Sequence, residues 1–322
     1  MSKLGKFCIK TLILGIIMTI IGTVILAVEA LNGFIDDIPS LDIDNNAHSA
    51  EYVGYEVTTV TEVHPTEETM TDVIDQGTYT GSEFFDGLNV SPEEVHELDI
   101  SISTGSFDIV PGDSFRLFAN GINPDYLKFE LNDNCLEVKY SPDTDIFSLD
   151  WMSFAYSPEI TLYVPFKTYE KISLNMSAGT ASINEITAND FVFDMSAGNA
   201  YLGNVIAYNS SDIKMSAGNA VFTDCIFTDS NKIQVSAGEM VFENCSLTGG
   251  NYVKVTAGNL QMYLNGNSAY YDISANKSTG TLYINDKEVN NSYSSASTLE
   301  YPLSTMNVDV RAGTCYITFN ED

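Results

Sequence analysis

A four-residue motif, Met-Ser-Ala-Gly or a close variant, recurs through the second half of the chain and ends at Gly179, Gly198, Gly218, Gly238 and Gly258. The spacings are 19, 20, 20 and 20 residues. A fixed period of this size marks a stacked-repeat architecture, in which no unit can bury its apolar face alone. The positions around each glycine are equally regular. Three residues before it stand Met176, Met195, Met215, Val235 and Val255, and five before stand Leu174, Phe193, Ile213, Ile233 and Val253. Two after come Ala181, Ala200, Ala220, Met240 and Leu260, and four after come Ile183, Leu202, Phe222, Phe242 and Met262. Four units add an apolar pair at seven and nine residues: Ile186/Ala188, Val205/Ala207, Cys225/Phe227 and Cys245/Leu247.

Each run alternates apolar and polar with period two, which predicts a strand with one buried face. Odd offsets point inward before the glycine and even offsets after it, so the chain must turn a corner there. Glycine supplies the positive-φ or tight conformation that a corner needs, and the following Asn199, Asn219 or Asn259 tolerates similar geometry. The clusters Tyr208-Asn209-Ser210-Ser211, Thr228-Asp229-Ser230-Asn231 and Gly249-Gly250-Asn251 predict another corner. Each unit therefore reads as a coil of about three short strands, stacked at roughly 4.8 Å on its neighbours.

The expected fold class is all-β: a single-stranded β-solenoid, or β-helix, of about 20-residue coils. The template extends to Gly105 (Ile100, Ile102, Phe107, Ile109) and Gly313 (Val308, Val310, Cys315, Ile317), and only afterwards around Gly280 (Leu282, Ile284). The solenoid domain is predicted over residues 95–322, with two irregular regions. Leu117 to Tyr163 holds a hairpin, LKFEL and CLEVKY around Asn132-Asp133-Asn134, then the strand ITLYV ending at Pro165. Asn276 to Leu299 is a polar excursion.

The first 94 residues have a different character. Residues 11–28, TLILGIIMTIIGTVILAV, carry no charge and suffice for most of a bilayer core, which predicts a transmembrane helix. Lys3, Lys6 and Lys10 precede it and acids follow from Glu29 onward. The positive-inside rule then makes residues 1–10 a cytoplasmic tail and puts the remainder outside the cell membrane, as a single-pass protein. A cleaved signal peptide is the rival, but the apolar run is long for one and Val28-Glu29-Ala30 is a poor cleavage site. Residues 29–94, acidic and rich in Thr, Ser and Gly, read as a disordered extracellular linker. The C-terminal CYITFNED carries no second anchor signal.

Composition narrows the chemistry. There are 14 Lys and Arg against 44 Asp and Glu, a net charge of −30. Such a chain repels nucleic acid and attracts cations or basic partners, so cationic peptides or basic envelope components are the expected partners, beside the membrane itself. Catalytic, cofactor-binding and metal sites are all read as absent. His48, His64 and His96 precede the repeats, so no triad can form within them. Asp42-Ile-Asp44-Asn-Asn46 begins like a calcium loop but has Ala47 where glycine belongs and Val53 where glutamate belongs. The five cysteines are widely spaced, without metal-ligand spacing, and Cys225 and Cys245 share an offset in successive coils. Buried thiols filling a core column are favoured over a bond there, because in-register parallel neighbours aim their Cβ atoms poorly. The Met176, Met195 and Met215 column reads as core. Asp194, Asp224, Glu239 and Glu243 are expected to face outward, where a carboxylate pair would serve the alternative function, a carbohydrate-active enzyme of the parallel β-helix type.

The repeated M-S-A-G-x-A units, the preceding ITLYVP strand and the INDKEVNNSYSS excursion together resemble the bacterial putative-adhesin family. This is a domain of unknown function that includes LiaG- and LiaX-like envelope proteins. The resemblance covers about Leu98 to Phe319 and implies a β-solenoid on the cell surface with an adhesion, structural or envelope-sensing role. It transfers no catalytic residue, and the chain is expected not to be an enzyme. The topology has a direct test: protease added to intact cells should release a fragment that begins between Ala30 and Glu94. Protection of that whole segment until the cells are broken would reverse the orientation.

Overall fold

The computed structural model describes residues 84–87, 90–142, 158–300 and 304–321. The predicted cytoplasmic tail, the transmembrane helix, nearly all of the linker, the calcium-like segment, His48 and His64 lie outside the described residues. Among those described, no helix is long and apolar enough to cross a membrane. They contain only single 3₁₀ turns, at Pro92–Glu94, Pro124–Tyr126 and Ser268–Tyr270.

The rest of the regular structure is strand, arranged as a solenoid-like stack. In one coil, Ile206–Met215 leads to the glycine corner, Asn219–Thr223 leaves it, and the two-residue strand Ile226–Phe227 closes the turn. The next coil repeats the path in parallel register, with Met215 beside Val235 and Phe222 beside Phe242. Two long parallel sheets result, one before the corner and one after it. All the inward columns assigned from the sequence are buried. The core is aromatic at its middle, where Phe222 stacks on Phe242 at 4.6 Å and meets Phe193 edge-on at 5.9 Å.

The corner glycines form a ladder. From Gly179 onward the N–H after each glycine donates to the carbonyl of the neighbouring coil's glycine, as from Asn219 to Gly198 at 2.8 Å and from Asn259 to Gly238 at 2.8 Å, while Ser106 donates to Pro158. Gly105, Gly179, Gly198 and Gly218 have φ between 102° and 119°, whereas Gly238, Gly258, Gly280 and Gly313 do not adopt positive φ. Close approach is what all of them share. A Cβ at Gly218 would sit 2.0 Å from the Gly198 carbonyl oxygen, and one at Gly258 would sit 2.4 Å from that of Gly238. The asparagines that follow do not share the special backbone, since Asn199, Asn219 and Asn259 simply begin strands. Left-handed asparagine and acidic residues occupy a second corner instead: Glu185, Asn204, Asp224 and Asn244, with φ of 54–55°. That column was not foreseen.

The stacking order departs from chain order at both ends. Gly258 is followed in space by Gly313, and the Gly280 coil lies outside it, because Ser304–Val310 pairs with both Gly249–Val255 and Tyr271–Lys277. Lys277 supplies the reason. It occupies the inward column beside Val310, where an ammonium between two coils would have no partner. On the outermost coil it reaches Glu288 at 3.1 Å while remaining 10% exposed. At the other end Glu97–Ile102 lies between Cys135–Tyr140 and Thr168–Met176, so the hairpin coil is outermost there.

Antiparallel strands finish both ends. Leu127–Asn132 and Arg116–Asn120 cover one, and Ser292–Ser295 and Lys287–Glu288 the other. The first edge is charged: Lys128 and Lys139 clasp Glu137 at 2.7 and 3.1 Å, which holds its carboxyl down at about 2. Charges of this kind discourage further strand addition. Phe84–Gly87, inside the span read as linker, adds an antiparallel strand to Arg116–Asn120, so ordered structure starts before residue 95.

The polar cluster at the remaining corner also points inward in part. Ser211, Asn231 and Asn251 stack seven residues before their glycines, and all are buried. Ser211 donates to Asn231 at 2.9 Å, Asn231 to Asn251 at 2.8 Å, and Asn251 to Ser304 at 2.5 Å. Each rung of this column satisfies the next, which is what allows polar groups in a core.

The glycine ladder predicts a sharp asymmetry between neighbours. Gly218→Ala should cost about 3 kcal/mol through combined backbone strain and overpacking, while the exposed Asn219→Ala should cost under about 1 kcal/mol. Thermal melts of the two variants check this. Equal melting temperatures for Gly218→Ala and the parent would remove the corner argument.

Candidate functional site

The parity of the two sheets distributes charge unevenly over the surface. Lys139, Lys171, Lys214, Lys232, Lys254 and Lys277 all belong to strands that precede the corner. Several are neutralised locally, as Lys214 and Lys232 are by Asp212 at 3.1 and 3.3 Å. Strands that follow the corner, from Glu159–Pro165 to Thr281–Ile284 in stacking order, hold no Lys or Arg between the capping strands. Their outward positions carry Asp108, Glu159, Glu239 and Glu243 among Ser, Thr, Asn and Tyr. Burial, and then the charge of Glu159, raise the Asp108 carboxyl above its ordinary range.

Exposed and half-buried tyrosines dot the same face. Tyr283 and Tyr316 stack on each other at 4.8 Å, and Tyr263 donates to Gln261, which in turn donates to Glu239 at 3.1 Å. Tyr201 differs: it is 56% exposed, and no ring or hydrogen-bond partner holds it among the described residues. It borders a shallow groove of about 250 Å³ that Gly203, Ser182, Asn184, Thr223 and Asp224 also line. The glycine lets Asn184 lie across it, since a Cβ at Gly203 would be 2.2 Å from Asn184 Oδ1. The hydroxyls of Ser182 and Thr223 and the amide of Asn184 make no hydrogen bond to the described protein, whereas Asp224 accepts from the amide of Asn244. Sequence reasoning missed this groove. Its signal was the glycine interrupting an outward column that otherwise reads Asn184, Thr223 and Glu243.

Of the four acids expected to face outward, the structure gathers three. Asp224, Glu239 and Glu243 lie on the post-corner side, while Asp194 stands beside Lys214 on the other sheet. Among the described residues no three His, Cys, Asp or Glu side chains converge as metal ligands. His96 contacts Glu170 at 3.1 Å, beside the first coils and away from the groove.

Three of the four described thiols are core, and Cys135 is half-buried. Cys225, Cys245 and Cys315 are fully buried, and Cys135, Cys225, Cys245 and Cys315 are all free. Burial pushes the Cys315 thiol up to about 12. The neighbouring Cys225 thiol, and then burial, push the Cys245 thiol up as well.

The family's sequence profile matches residues 95–314, more than half of the chain. This chain belongs to the Toastrack DUF4097 family. Three solved structures resemble it at low identity. A putative cell adhesion protein from Clostridium sporogenes ATCC 15579 is 13% identical, with a TM-score of 0.34 over 75% of this chain and 100% of its own. A putative adhesin from Bacteroides fragilis NCTC 9343 is 11% identical, with a TM-score of 0.32 over 75% and 98%. Another from Parabacteroides distasonis ATCC 8503 is 11% identical, with a TM-score of 0.31 over 74% and 96%. Comparison with curated proteins gives no match.

The buried thiols of this Toastrack chain predict a labelling order. With Cys8 replaced by Ser, a thiol reagent at neutral pH should modify Cys135 first and reach Cys225, Cys245 and Cys315 only on unfolding. Four thiols should then titrate in denaturant. Recovery of two would show that Cys225 and Cys245 are bonded.

Proposed function

We propose that this Toastrack protein is a non-catalytic binding module displayed outside a cell membrane, and that its post-corner face receives a cationic envelope partner. One observation carries the reading: the lysines sort onto the other sheet and leave this face acidic, aromatic and without a base between its caps. A cation approaching the pre-corner sheet meets lysines set among the carboxylates, some of them paired as Asp212 is with Lys214 and Lys232. On the post-corner face it meets carboxylates without that competition, which favours attraction and orientation over long range. The uncharged run at residues 11–28, with lysines before and acids after, supports an anchor that leaves the domain outside.

A binding role also suits the interior. The inward columns are consumed by packing, and the inward polar residues Ser211, Asn231 and Asn251 bond to one another, so a ligand must use the outside. Attraction of this kind weakens as salt shortens the Debye length, which is ~10 Å at 0.1 M. The full-length chain should bind oligolysine at low ionic strength and lose about tenfold or more in affinity in strong salt. It should show no turnover on a panel of wall and capsule polysaccharides. Salt-independent binding or none would sink the partner assignment, and turnover abolished by a single Asp or Glu substitution would sink the non-catalytic one.

A further inference from the structure

We propose that the notch over Gly203 is a subsite for one ring of a cationic hexosamine polymer, a glycan whose amino groups are free. The inference deepens the cationic-partner reading above and rests on it. Tyr201 is the exposed ring of this face with neither a stacking nor a hydrogen-bond partner, unlike Tyr263, Tyr283 and Tyr316. Its face is electron-rich, so it attracts the C–H edges of a pyranose and the positive charge of an ammonium group. Beside it lie exactly the polar groups that a polyhydroxylated ring needs: the hydroxyls of Ser182 and Thr223 and the amide of Asn184 can donate as well as accept.

Asp224 selects the charge. Its carboxylate lines the same groove, and among the described strands of this face no Lys or Arg stands between the caps to balance it. An anionic sugar would meet repulsion there, a neutral one would gain only hydrogen bonds, and a free amine would gain a charge-assisted bond. A volume of about 250 Å³ limits the notch to about one ring. Its open form leaves the rest of a chain free to run along the face. The parent polymer is thus held by its ring at Tyr201 and by its charge over the surrounding acids.

The variants separate these parts without disturbing the fold. Asp224→Asn places at the second corner the residue already found there at Asn204 and Asn244, in the same left-handed backbone. Tyr201→Ala trims an exposed side chain. Gly203→Ala puts a methyl where Asn184 Oδ1 now lies and displaces the end of that flexible side chain within the groove. Titration calorimetry of the full-length chain would use de-N-acetylated glucosamine oligomers, their N-acetylated counterparts and oligolysine, at mildly acidic pH. The glucosamine oligomers should bind more tightly than the N-acetylated ones. Tyr201→Ala and Gly203→Ala should each weaken them by about tenfold while leaving oligolysine within about twofold. Asp224→Asn should remove most of the preference for the free amine.

Glucosamine binding that survives both Tyr201→Ala and Gly203→Ala would overturn the notch as its site and leave the cationic face standing. Equal affinity for the N-acetylated oligomers would overturn the cationic assignment of the ring. Oligolysine binding without glucosamine binding would overturn the subsite alone, and failure of both would overturn the face as well.

Discussion

The contact between successive corner glycines sets the terms for the whole domain. A carbonyl from one glycine takes the N–H that follows the next, and the backbones lie too close for any Cβ between them. The constraint recurs from the Gly105 coil through the stack, so it fixes the register of both sheets. It also explains why glycine remains at positions such as Gly238 and Gly258, where φ makes no special demand. Once register is fixed, each inward residue stacks on its equivalent, and the alternation of every strand decides which side chains meet solvent.

Repetition creates a problem at the ends, where an open coil would expose both core and strand edges. The chain solves it by leaving sequence order. The Gly280 coil accepts a buried lysine stem because its outer side is free, and the polar excursion after it supplies Glu288 and the covering strands. The last coil then returns to the vacant inner place, with Ser304 completing the buried column through Asn251. In the middle of the stack that column is a row of side-chain hydrogen bonds among aromatic neighbours. A shift of one residue would strand its members without partners, which adds a polar check on register to the glycine ladder.

The same geometry shapes what the protein can do. Side chains from successive coils form nearly straight outward columns, so a small bias in sequence becomes a charged or aromatic strip. One sheet gathers the lysines with their acids, and the other gathers acids with tyrosines. A flat, repetitive face is suited to extended ligands with their own repeat. A groove lies where one column is broken, beside Gly203.

Much of this was legible in the sequence. Period, corner glycines and inward columns were all local signals, because packing in a stacked coil depends on offsets within one unit. The pre-corner strands of the Gly280 coil gave no match, and Lys277 was the residue responsible. The inward turn of Ser211, Asn231 and Asn251 was hidden because polar residues beside a predicted corner look like the corner itself. The left-handed column at Glu185, Asn204, Asp224 and Asn244 was overlooked beside the more obvious glycines. What the sequence by itself determined was therefore the coil: its length, its corner and its core face. Only the tertiary structure decided the order of the end coils, the sorting of lysines onto one sheet and the notch beside Tyr201. Those depend on which coil lies next to which, and on side chains from separate coils meeting across the stack, a relation that no single repeat encodes.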